Sequence, residues 1–225
     1  INEIFKVVRG GGDIGKRIQY LNQYMDPARA KRKTSPRVII NTMVIIESLK
    51  AALNHFNESS AGFVFEAFMA ALTGGKQESG RVKGTLPIED FVAFTEFGGK
   101  SLAVSLKLLQ RKTYIKGSFT NLMDYLFVRG EPEIKYLVAY KNAKENVESL
   151  DIYDFTISKD NIVQFILGGD KNTKMLIAGV DPNELQQVLS TGDTAQIAQV
   201  VTQLPGYNKN GFLHTKLAVE DEPQT

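Results

Sequence analysis

Apolar positions recur at helical spacing from Arg37 to Phe56, with Ile39, Met43, Ile46, Leu49 and Leu53 as examples. Ser35-Pro36 gives that helix its start, a capping serine followed by a proline whose missing N–H costs nothing in a first turn. Residues 2–57 as a whole read as helical. Ser59 or Ser60 caps a further helix, AGFVFEAFMAALTGG, which Gly74 and Gly75 end. The period then changes. IEDFVAFTEF and KSLAVSLKLL are two extended runs separated by Gly98-Gly99, a hairpin pattern. After KTYIKG a helix begins, capped by Ser118 and stopped by Gly130. IKYLVAYKN and SLDIYDFTIS are two more strands, and KDNIVQFILGG is a short helix. The tail carries a helix from Asp181-Pro182, another around Asp193 to Leu204, an apolar run FLHTKLAV and a frayed EDEPQT.

This order predicts an α/β (α+β) protein, a mixed sheet flanked by helices with helical additions at both ends. The expected organisation is an N-terminal helical region at 1–58, an α/β core at 59–168 and a C-terminal helical extension at 169–225. Gln186, Gln187, Gln196 and Gln199 in that extension suggest a surface for self-association.

Composition narrows the chemistry. The 225 residues are 43% hydrophobic and 23% charged, an ordinary globular balance with enough chain to bury a core. With no cysteine there is no disulfide framework and no thiolate metal site, which fits a reducing compartment. Two histidines, His55 and His214, leave little for a zinc site or a histidine triad. A net charge of +2 gives no global basic field, so a nucleic acid would have to be held by a local patch. The longest apolar stretch, VIINTMVII, is too short to span a membrane. The chain opens on Ile1 rather than methionine, which suggests part of a longer or processed chain, and no signal-peptide pattern is read in it. The expectation is an intracellular protein, or a virion component if phage-encoded.

GGGDIGKR, Gly10 to Arg17, has the glycine and lysine spacing of a phosphate-binding loop. Arg17 stands where a hydroxyl should hold Mg²⁺, and INEIFKVV before it reads as helix rather than buried strand. A glycine-rich turn between helices is the better reading.

Lys107 is harder to dismiss. In the strand SLAVSLKLLQ, alternation sends Leu102, Val104, Leu106 and Leu108 to one face, and Ala103, Ser105, Lys107 and Leu109 to the other. Asp90 lies near the start of the strand across the hairpin, and Glu66 is the only charge in its helix. Burying any of the three is costly without a partner. Their bland readings are an ammonium reaching solvent at a strand end, a solvated helix glutamate and a loop or cap aspartate. If they converge, Glu66 and Asp90 are hard oxygen ligands suited to Mg²⁺ (or Mn²⁺), and the Leu106 carbonyl offers another oxygen. Lys107 would then orient a water or steady charge on a phosphate.

The order Glu66, Asp90, Ser105-Leu106-Lys107, helix from Ser118, strand IKYLVAYKN resembles the PD-(D/E)XK restriction-endonuclease-like nucleases over about residues 60–142. That family's core is a helix bearing glutamate, a strand with aspartate, a strand with (D/E)-x-K, a helix and another strand. The resemblance implies Glu66 and Asp90 as metal ligands and Lys107 as the residue assisting the attacking water. Two departures stand out: Asp90 lies three residues after Pro87, and Ser105 replaces the family's acid. Some members of the family keep activity with serine there; the same change also fits a copy that has lost catalysis.

For nucleic acid, the expected contacts are Arg111, Lys116, Ser118 and Asn121, with the helix start after Ser118 offering amides to a phosphate. Lys112 and RAKRK (Arg29 to Lys33) add basic residues, and Tyr114 and Tyr136 could stack on bases. Two functions follow. One is a metal-dependent endonuclease acting on DNA. The other is a catalytically inactive nuclease-fold protein with a structural, assembly or DNA-binding role, for instance in a phage.

Overall fold

A computed structural model describes residues 65–70, 75–77, 88–94, 101–111, 113–144 and 147–216, with Pro36, Ile40, Met43, Gly62 and Thr73. GGGDIGKR (10–17), RAKRK, Lys112 and EDEPQT lie outside the described residues, as does most of 2–57, which is expected to be helical. Of that region, Pro36, Ile40 and Met43 are helical. The architecture is mixed α/β.

The chain divides into two compact units, Ile1–Gly80 with Glu89–Leu108, and Arg81–Ile88 with Leu109–Thr225. The expected 59–168 core therefore contributes to both.

In the first unit, residues 65–70 are helical and bury Phe65, Met69 and Ala70. The buried Thr73 hydroxyl lies 3.0 and 3.1 Å from the Met69 and Ala70 carbonyls, which also accept the Thr73 and Gly75 N–H groups, so the helix end is closed by its own backbone and by this side chain. Strand β1 (Lys76–Gln77) pairs antiparallel with β2 (Phe91–Phe94), which pairs antiparallel with β3 (Ser101–Gln110). The β2–β3 register, Phe91 opposite Val104 through Phe94 opposite Ser101, is the expected hairpin pairing. Phe91, Ala93, Val104 and Leu106 are buried. These side chains give the ladder its apolar reason to form.

In the second unit, β4 (Ile115–Ser118) leads into α1 (Phe119–Met123) and a π-turn at Asp124–Val128. Ser118 caps α1, its Oγ accepting the Asn121 N–H at 3.2 Å. Gly130 follows at φ +79°, a left-handed conformation that suits glycine. β5 (Glu133–Lys144) and β6 (Val147–Ser158) form a long antiparallel hairpin. Then come α2 (Ile162–Gly168), α3 (Lys171–Lys174), a 3₁₀ turn at Met175–Ile177, α4 (Pro182–Thr191), α5 (Thr194–Gln203) and α6 (Pro205–Asn208). Asp181 caps α4 and Asp193 closes a capping box with Gln196, so both tail helices begin where expected.

The run FLHTKLAV holds a strand the sequence left unassigned. β7 (Phe212–Thr215) returns to pair antiparallel with β4. α6 packs on α1, and α5 on the π-turn, so residues 169–216 are built into this unit's core rather than appended to it. Phe119, Leu122, Leu126, Ile134, Ile162 and Leu204 are fully buried there.

Tyr207 ties α6 to the π-turn. Its hydroxyl donates to Asp124 Oδ1 at 2.6 Å, and that bond, with burial, pushes the phenol up to about 12. A raised folded value means the contribution is complete below the ordinary tyrosine range and is lost as pH rises through about 12. Tyr207→Phe is expected to cost about 0.5–1.5 kcal/mol at pH 7, read from denaturant midpoints. The wild-type advantage should shrink at strongly alkaline pH; an undiminished advantage there would refute the bond's role.

Candidate functional site

β2 pairing ends at Phe91, so the next residue back, Asp90, turns its side chain along β3. The Asp90 N–H donates to the Val104 carbonyl at 2.8 Å, fixing the bend. One carboxylate oxygen then collects three donors. Asp90 Oδ2 accepts the Leu106 N–H at 2.6 Å, Lys107 Nζ at 3.1 Å and the Ser105 hydroxyl at 3.2 Å. Lys107 Nζ also donates to Ser105 Oγ at 2.9 Å and to the Leu106 carbonyl at 3.0 Å.

An ammonium has three N–H bonds, and three acceptors surround this one. That arrangement explains a lysine in an apolar strand: its charge is paired and its donors are used. Ser105 is 1% exposed, so its hydroxyl is a buried bridge between Lys107 and Asp90 rather than a surface polar group. Lys107 and Asp90 side chains are 26% and 23% exposed, leaving the ion pair accessible from one side.

Glu66 joins the group electrostatically. Burial first, then the Asp90 charge, raise its carboxyl above the usual range; the Gln77 hydrogen bond and the Lys107 charge pull it back. Gln77 Nε2 donates to Glu66 Oε2 at 3.3 Å, a contact made possible because β1 brings Gln77 opposite Phe91. Gln77 was not legible as a site residue: it belongs to a two-residue strand whose only signal was the preceding glycine pair.

The fit to a divalent cation rests on this donor set. Among the described residues, the hydrogen bonds to Asp90 fall on Oδ2 and those to Glu66 on Oε2. Oδ1 and Oε1 remain as ligand atoms, and a cation between two mutually repelling carboxylates would relieve the shift on Glu66. The Leu106 carbonyl already accepts from Lys107 and has a second lone pair. No group of three or more histidine, aspartate or glutamate side chains able to hold a metal occurs among the described residues. Two carboxylates would leave most coordination positions to water, which Mg²⁺ tolerates.

A raised glutamate favours the folded state most below its ordinary value of 4.5, and that advantage is lost as pH rises through the raised value. In chelator at pH 7, Glu66→Gln is therefore expected to raise the thermal midpoint relative to wild type, with the gain vanishing near pH 4. A gain of equal size at both pH values would show that ionisation of Glu66 is not its source.

The expected nucleic-acid residues fall in the second unit. Arg111 is ion-paired with Asp151. Lys116 is exposed on β4. The Ser118 hydroxyl is taken up as the α1 cap by Asn121, and the Phe119 N–H donates to the Gly211 carbonyl at 2.9 Å. Two amides of that helix start are thus already used inside the fold. Tyr136 is buried and stacks on Phe155 at 5.0 Å, a core role, whereas Tyr114 is exposed. No helix among the described residues is long and apolar enough to cross a membrane.

No protein-family model, curated protein or solved structure matches this chain.

Proposed function

We propose that Glu66, Asp90 and Lys107 form the site of a metal-dependent endonuclease that hydrolyses DNA phosphodiester bonds, on a divergent PD-(D/E)XK-like core with an S-x-K strand. The observation that carries this reading is the convergence of Asp90, Ser105 and Lys107 on one oxygen, with the Glu66 charge coupled to it. These groups come from three separate segments, and a solvated helix face or strand end would not gather them.

Glu66 and Asp90, with the Leu106 carbonyl, would hold Mg²⁺ or Mn²⁺, which supplies Lewis-acid charge for the phosphate and lowers the pKa of a bound water. Lys107 presents an ammonium to the phosphate oxygens as negative charge builds on them. Ser105 and Asp90 hold that ammonium in place. Hydrolysis forms a P–O bond from water and breaks the P–O bond to the leaving sugar oxygen, which takes up a proton. A supercoiled plasmid should be nicked by the purified protein with Mg²⁺ or Mn²⁺ and left intact in chelator.

Ser105 itself favours a second reading. With a serine where the family has an acid, the same scaffold would serve as an inactive structural, assembly or DNA-binding component, for instance of a phage particle. Well-folded protein that cuts neither plasmid nor single-stranded DNA with either metal would decide for it.

A further inference from the structure

The pairing of β4 with β7 creates a surface that neither strand announces alone. In an antiparallel ladder, directly paired residues share a face and successive pairs alternate. Ile115 and Leu213 are buried, which sets the inner face of this two-stranded ribbon. The pairs Lys116–His214 and Ser118–Phe212 therefore lie on the outer face. Phe212 is 54% exposed, so its ring is open to solvent on that face.

The array continues past the strand ends. Tyr114, 39% exposed, sets its ring 6.1 Å from that of His214, and Lys216 Nζ sits 4.2 Å above the Tyr114 ring. Lys171 and Lys174 are exposed on α3, which packs against β7. Asp170 Oδ2 lies 3.9 Å from His214 Nδ1, and its Oδ1 caps α3. Among the described residues, neither Lys116 nor Lys216 is ion-paired with a carboxylate.

We propose that this outer face binds single-stranded DNA, with Phe212 and Tyr114 stacking on unpaired bases and Lys116 and Lys216 contacting the backbone. Exposed aromatic rings interleaved with lysines suit a polyanion carrying flat apolar faces. In a duplex the base faces are already stacked, so the rings favour the unpaired form. Binding here needs no metal and does not depend on hydrolysis at Lys107.

The test is fluorescence anisotropy of the full chain with labelled oligo-dT, a hairpin duplex of equal length and oligo-U, all in chelator across a salt series. Oligo-dT should bind more tightly than the duplex. Phe212→Ala and Tyr114→Ala should each weaken it roughly tenfold or more, the loss of one base–aromatic stack. Phe212→Tyr should retain binding. Lys116→Ala should lower the slope of log affinity against log salt by about 0.7, one phosphate contact on a single strand. Oligo-U binding as well as oligo-dT, with the same losses, supports the face and extends its ligand to RNA. Equal affinity for the duplex, or binding unchanged by both aromatic substitutions, overturns the proposal. So does a failure to bind any oligonucleotide at low salt. Phe212 is exposed, so its loss should leave circular dichroism unchanged.

Discussion

Lys107→Ala is expected to reduce metal-dependent cleavage by roughly 10²–10³-fold, the usual cost of deleting one donor to a transition-state oxyanion. The fold should survive. Asp90 Oδ2 keeps the Leu106 N–H and the Ser105 hydroxyl, so the aspartate stays anchored when the ammonium is gone. The ion pair is partly exposed, and losing it should cost no more than about 1 kcal/mol. A second readout separates a lost charge from a lost shape. Lys107 lowers the Glu66 carboxyl, so without it that group should titrate higher. Residual cleavage by the variant should therefore rise with pH later than in the wild type. Initial rates of nicking between pH 5 and 9 would measure both effects. A variant with wild-type rate and pH profile would remove Lys107 from the chemistry, and with it the proposed mechanism.

Much of this site was legible because its chemistry violates the local pattern. A lysine in SLAVSLKLLQ and a glutamate in AGFVFEAFMAALT are conspicuous against apolar neighbours, and strand alternation correctly placed Ser105 with Lys107. The hairpin turn signal supplied the strand that brings Asp90 alongside. What could not be read is long-range pairing. β7 joins β4 across a sequence separation of 94 positions at Ser118 opposite Phe212 and 100 at Ile115 opposite Thr215. No local propensity encodes that partner choice. The sequence pattern therefore reads the tail as a helical extension, and the structure adds β7 to its helices and places them in the second unit. After Ser118, where the sequence suggests a phosphate contact, the Asn121 and Phe119 amides donate within the fold, to the Ser118 hydroxyl and the Gly211 carbonyl, and that Gly211 partner is again a long-range one.

Gly75→Ala should have the largest effect on stability. A methyl group there would stand 1.8 Å from the Val92 carbonyl oxygen and 2.8 Å from its carbon. Both are backbone atoms, so no rotamer change can make room. Gly75 is also held from the other side, its N–H donating to the Ala70 carbonyl at 2.8 Å. Relief requires moving β1 off β2 or pulling the chain away from the helix end. The cost is expected at about 3 kcal/mol, the upper part of the range for overpacking. Gly168→Ala is the fitting control, because a methyl group there meets nothing within 4 Å and should be neutral or slightly stabilising. The consequence for function follows from the register. Displacing β1 carries Gln77 away from Phe91 and removes the hydrogen bond that steadies Glu66, while Asp90 sits one residue before Phe91. Gly75→Ala should therefore lower the denaturant midpoint and depress cleavage together, without touching any proposed ligand. A Gly75→Ala protein that matched the wild type in both measurements would disconnect β1 from the site and leave Glu66 without the support argued for it.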